Sequence, residues 1–102
     1  MAEREYRARR LREGTRAPAK DRLLTEPQLA ELLVHRVVNE VVIVEVEKEA
    51  YRIEILVTFK AKRQILATVR GEVRHYFDLG NAVNALKRAG IGRVNVRLEL
   101  LN

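Results

Sequence analysis

Side chains able to carry covalent or metal chemistry are scarce in this 102-residue chain. It holds no cysteine, no serine and no tryptophan, two histidines (His35 and His75) and two aspartates (Asp21 and Asp78). Disulfides, thiolate zinc sites, cysteine nucleophiles, serine triads and aspartate-rich metal cages therefore cannot be assembled from it. The acidic run Glu45, Glu47 and Glu49 around Lys48 comes nearest to a nuclease carboxylate cluster, but the partner aspartate and the Glu-x-Lys spacing are missing. A lone histidine such as His35 lacks the second ligand a metal needs. These absences predict a protein that is not an enzyme, carries no cofactor or metal, and has no evident small-molecule substrate.

Positive charge is the remaining chemical resource, and it is unevenly placed. Residues 1–22 carry Arg4, Arg7, Arg9, Arg10, Arg12, Arg16, Lys20 and Arg22 against four acids, leaving only two of the six net positive charges for residues 23–102. This stretch has no sustained apolar face and is interrupted by Gly14 and Pro18, so it predicts a flexible basic arm, either reaching phosphates or simply solvated. A second set, Arg52, Lys60, Lys62, Arg63, Arg70 and Arg74, falls on strand positions and loops expected to face outward. A two- or three-stranded ribbon fits the major groove, where outward side chains reach base edges while an arm holds phosphates. The plain alternative is a charged wet face, with Glu54 and Glu72 diluting the field. His75-Tyr76-Phe77 offers rings for base stacking. Parity instead places Phe77 with Val69 and Val73 in the core, and Tyr76 beside a helix entrance.

The elements that must position these groups follow from patterning. Ordered structure is expected from Thr25, where Thr25-Glu26-Pro27-Gln28 has the form of a capping box, and Leu29, Leu32 and Leu33 continue a helix over about 26–37. Val41–Val46 reads as a strand, with Glu47-Lys48-Glu49 as a turn. Tyr51, Ile53, Ile55, Val57 and Phe59 alternate with Arg52, Glu54, Leu56, Thr58 and Lys60, the signature of a half-buried antiparallel strand. A third strand covers Ile65–Val69 and is extended toward Phe77 across Gly71, which marks either a bulge or a second short turn. Asp78 caps a helix with an apolar stripe of Leu79, Ala82, Val83, Leu86 and Ala89, ended by Gly90, and Arg93–Leu100 alternates as a closing strand. The fold class is α+β in the order α-β-β-β-α-β: an N-terminal helix, a three-stranded antiparallel meander, a helix and a closing strand, with both helices on one face of a single sheet.

Composition agrees with one such domain over residues 23–102. The chain is 47% hydrophobic and 33% charged, as in soluble globular domains. No apolar run approaches the ~20 residues of a membrane span, and no leader pattern opens the chain. A cytoplasmic location without membrane contact is expected.

The stretch from Ala67 to Val96, with Arg70-Gly71-Glu72-Val73-Arg74, Tyr76-Phe77-Asp78-Leu79, Ala82-Val83, Leu86 and Gly90-Ile91, resembles the small ParC-type partition-associated proteins of broad-host-range plasmids, which are unrelated to the topoisomerase subunit of that name. The resemblance covers the last third of the chain. The segment Tyr51–Lys62 lacks a tryptophan of that pattern, and the arginine-rich arm is additional. The strand–strand–strand–helix order is also similar to the arm-binding domains of tyrosine integrases, which read DNA with a sheet face. Neither resemblance transfers a catalytic residue. The first implies a role in plasmid or mobile-element maintenance. Two functional readings follow. One is a small DNA-binding accessory protein using the arm and the outer sheet face; the other is a protein-interaction module or homodimer that pairs through an edge at Val41–Val46 or Val94–Leu100.

Overall fold

The computed structural model describes residues 18–101. Thr25 caps helix α1 (Glu26–Val34) as its sequence predicts. The Thr25 hydroxyl accepts from the Gln28 amide at 3.4 Å, and the Gln28 side chain accepts from the Thr25 amide at 2.8 Å. Pro27 sits in the first turn, where its missing N–H costs nothing. The helix ends before the expected residue 37. Arg36 takes a left-handed φ of 58°, its amide donates to the Leu33 carbonyl, and the Val37 amide donates back to Leu32. This is a Schellman ending with arginine where glycine is usual, and it releases the β-branched Val37 and Val38 into extended backbone. Helix α2 (Leu79–Ala89) follows its sequence signals closely, with Asp78 accepting from the Gly80 amide at 2.7 Å and Gly90 left-handed at the end.

Five strands form one mixed sheet in the order β1-β4-β3-β2-β5. They are β1 (Leu23–Thr25), β2 (Val38–Glu47), β3 (Ala50–Val57), β4 (Gln64–Ala67) and β5 (Val96–Glu99). The α+β class stands, but the expected element order is incomplete, because β1 precedes α1 and pairs parallel with β4. A 3-10 turn (Lys20–Arg22) comes before it, so regular structure begins ahead of Thr25. The expected meander is also uneven. The β2–β3 ladder is long, whereas β3 and β4 share only Glu54↔Ile65 and Ile55↔Gln64. The third strand stops at Ala67 instead of running on toward Phe77. Its chain turns at Gly71 (φ 86°) and touches back through single bridges, Ala67↔Val73 and Tyr51↔Tyr76.

The helices pack side by side and share one core with Leu24, Val41, Ile43, Ile53, Ile55, Val57 and Leu66. Leu29 of α1 and Leu86 of α2 are buried in it, and each such side chain contributes about 1.5–3 kcal/mol through removal from water. Tyr76, not Phe77, belongs to this core, because the turn at Gly71 breaks the parity that sequence alternation assumed. Cross-strand partners share a face, so Leu23, Ile65, Glu54, Val42 and Arg97 form a row on the other side of the sheet. No helix packs there among the described residues.

Candidate nucleic-acid interface

Charges on the helix-free face are arranged as a closed network. Glu54, at the centre of β3, is 6% exposed and lies between the fully buried Val42 and Ile65. A buried carboxylate requires partners, and it has two: Arg52 Nε at 2.8 Å and Arg63 Nη1 at 3.2 Å. Arg63 also reaches Glu99 of β5 at 3.0 Å, and Arg97 joins Glu99 at 2.8 Å to Glu40 at 3.0 Å. Three arginines thus meet three glutamates. The hydrogen bond to Glu99 leads the causes that raise the Arg63 pKa, with burial opposing it; the same bond holds the Glu99 carboxyl below the usual range. Glu40 in turn raises the Arg97 guanidinium. Arg52 and Arg63, expected to face a nucleic acid, are therefore already engaged by carboxylates, Arg52 by Glu54 on its own strand and Arg63 by Glu54 and Glu99.

The remaining basic residues separate to two ends. At one end, the 3-10 turn is pinned to the β3–β4 loop. Arg22 donates twice to the Arg63 carbonyl, at 3.2 and 3.0 Å, and Lys60 Nζ donates to the Asp21 carbonyl at 3.2 Å. An open groove of about 380 Å³ lies here, lined among others by Lys20, His35, Phe59 and Lys60. Phe59 was expected in the core, but β3 ends at Val57 and Thr58 turns out to bond the Val37 carbonyl, which leaves the ring 64% exposed. Lys62 is exposed on the same loop. Phe59, assigned by alternation to the core, and His35, considered only as a metal ligand, were not expected at this surface; the strand-ending step from Val57 to Thr58 was the available signal for the ring.

At the far end of β4 the chain passes Arg70 in the turn closed by Thr68 N–H to Glu72 O at 2.8 Å, and Arg74 follows it, its amide donating back to the Leu66 carbonyl at 3.0 Å. Arg74 lines a second groove of about 390 Å³ with Glu26, Thr68 and Arg88, the last bonded to Glu26 at 3.3 Å. Near Arg74, Glu26 and Arg88 the Tyr76 hydroxyl is buried without a hydrogen-bond partner among the described residues. Burial pushes its pKa up, and the nearby Arg74 charge opposes the rise without closing a bond of good geometry. Because β4 runs from Gln64 beside the pinned turn to Ala67 beside Thr25, Arg70 and Arg74 stand at the opposite end of the sheet from Lys60 and Lys62. Arg4, Arg7, Arg9, Arg10, Arg12 and Arg16 lie outside the described residues.

The acidic run has a structural use. Glu45 accepts from the Glu49 amide in the turn at 3.0 Å and from the Leu101 amide at 3.0 Å. No cluster of His, Asp and Glu suited to a metal occurs among the described residues, nor any helix long and apolar enough to cross a membrane. Strand β2 lies between β3 and β5, so Val41–Val46 is not an edge; β5 is. Comparison of the chain with family models, curated proteins and solved structures finds no match.

Proposed function

We propose that this is a small, non-enzymatic DNA-binding accessory protein that contacts DNA with one end of the domain rather than with its sheet face. The observation that carries the reading is the pinned turn. Arg22 and Lys60 tie Lys20–Arg22 to the β3–β4 loop, so the arginine-rich residues 1–17 continue from a point beside Lys20, Lys60, Lys62 and the exposed Phe59 ring. Clustered cations supply sequence-independent attraction to phosphates, and an exposed ring flanked by lysines is suited to stacking on an unpaired base. The helix-free face, with its three arginines matched by three glutamates, offers little net charge to a polyanion. The resemblance to ParC-type proteins supports the narrower role of an accessory to plasmid or mobile-element maintenance, acting in the cytoplasm.

Fluorescence anisotropy with labelled duplex and single-stranded DNA tests the reading. Lys60→Gln with Lys62→Gln is expected to weaken binding and flatten its salt dependence, and Phe59→Ala to weaken single-stranded binding selectively. Full-length protein that binds neither DNA at about 50 mM salt, where electrostatic attraction is strong, refutes it.

A further inference from the structure

Strand β5 is an edge whose composition sets it apart from the rest of the sheet. Among the described residues it pairs only with β2, in parallel, through Val41↔Val96, Val42↔Arg97, Ile43↔Leu98 and Val44↔Glu99. The Val41 amide donates to the Asn95 carbonyl at 2.9 Å. Backbone polar groups alternate along a strand, so Asn95, Arg97 and Glu99 direct theirs toward β2, and Val96 and Leu98, followed by Leu100, direct theirs away from the sheet. The side chains of those outward residues are apolar and uncovered, with Val96 45%, Leu98 42% and Leu100 58% exposed. Natural edges are blunted by short length, charged side chains, proline or a bulge; β5 is short and carries Arg97 and Glu99, but its outward-bonding positions are apolar and it has no lysine, proline or bulge.

The order of residues is self-complementary. In an antiparallel pairing centred on Leu98, Leu98 stands opposite Leu98 of a second copy and Val96 opposite its Leu100. Arg97 stands opposite its Glu99, and Glu99 opposite its Arg97. Every position with outward backbone groups becomes a hydrogen-bonded pair, and every charged position meets the opposite charge. A register slipped by two residues sets Arg97 against Arg97, and one slipped by four sets Leu100 against Gly92, a left-handed turn residue (φ 56°). The pairing also extends an interaction already present, because Glu99 and Arg97 are the β5 members of the network that reaches Arg63 and Glu40. We infer that the protein forms a two-fold homodimer by antiparallel β5–β5 addition centred on Leu98, joining two five-stranded sheets into one. The inference does not depend on DNA binding, and its test uses no nucleic acid.

Sedimentation equilibrium of the full-length chain from about 1 to 200 µM reads a concentration-dependent dimer. Arg97→Glu and Glu99→Arg each place like charges opposite one another, and each alone is expected to weaken dimerisation about tenfold or more. An equimolar mixture restores both Arg–Glu pairs and is expected to recover a heterodimer, an outcome that loss of folding in either chain does not produce. Since the chain has no cysteine, Leu98→Cys reports the same contact independently. Directly opposed residues lie within disulfide reach, so mild oxidation should link Leu98→Cys chains and leave Val69→Cys unlinked, although Val69 is the more exposed of the two at 86% against 42%. A wild-type monomer throughout the range, a mixture that stays monomeric, or cross-linking of Leu98→Cys no faster than Val69→Cys overturns the inference.

Discussion

Replacing Arg63 by Met separates a structural arginine from a ligand-binding one. Arg63 makes three hydrogen bonds to carboxylates, one to Glu54 at 3.2 Å and two to Glu99 at 3.3 and 3.0 Å. Hydrogen bonds to charged groups are each worth about 1.5–3 kcal/mol when protected from water. The Glu99 side chain is 36% exposed, so solvent replaces much of what those two bonds supply, whereas the Glu54 side chain is only 8% exposed and, among the described residues, keeps Arg52 as its partner. Partial burial of the Met side chain, in place of an Arg63 side chain that is 29% exposed, recovers part of the loss. The net cost is about 2 kcal/mol, which in a domain of this size lowers Tm by about 8–16 °C. Thermal unfolding followed by circular dichroism measures it, and a double-mutant cycle with Glu54→Gln should show coupling of about 1 kcal/mol. DNA affinity and its salt slope, measured below the new Tm, should stay at the wild-type values. An unchanged Tm together with a salt slope reduced by about one phosphate contact refutes the assignment of Arg63 to the network.

Three further perturbations test individual elements. Arg36→Gly relieves a left-handed residue at the end of α1 and should stabilise by about 0.5–1 kcal/mol in urea unfolding, with a loss of stability counting against the Schellman ending. Tyr76→Phe removes a buried hydroxyl that lacks a partner and is expected to be neutral or stabilising by up to about 1 kcal/mol; a loss of more than about 1 kcal/mol points to a bond from Arg74. Glu99 has its carboxyl pKa depressed in the folded state by Arg63, so the stability it adds is present above the unfolded value of about 4.3 and is lost as pH falls through the lower folded value. Glu99→Gln should therefore flatten the acid limb of Tm against pH, and an acid limb of unchanged slope contradicts that linkage.

Local signals were legible where the determinants are close in sequence. Thr25 and Gln28 cap each other across three residues, and Asp78 and Gly90 bound α2 through contacts within their own turns. Alternation likewise marked Ile53, Ile55 and Val57 as one buried face. The failures have a common cause in long-range pairing. Strand β1 has three residues, too few to show a period, and it exists because Leu23–Thr25 lies parallel to Ile65–Ala67 some forty positions away. Tyr76 and Phe77 exchanged expected roles because a left-handed glycine resets parity, which alternation cannot register. The basic residues were visible as types, but which of them are neutralised depends on register. Val42↔Glu54, Glu54↔Ile65 and Val44↔Glu99 bring Glu54 and Glu99 within reach of Arg63, turning it from an apparent DNA contact into an internal partner, whereas the Arg52–Glu54 pair lies two residues apart on β3.

The most direct test of DNA binding by the basic end is the salt dependence of duplex affinity for four chains: wild type, a truncation lacking residues 1–17, Lys60→Gln/Lys62→Gln, and Arg52→Gln. Each phosphate contact contributes about 0.9 to the slope of log K against log salt. The truncation should lose several such contacts and the lysine pair about two, with Arg52→Gln leaving the slope unchanged once its loss of stability is accounted for. A truncated chain that binds with the wild-type slope, or a slope that falls with Arg52 and not with the lysines, contradicts the assignment and returns the contact to the sheet face.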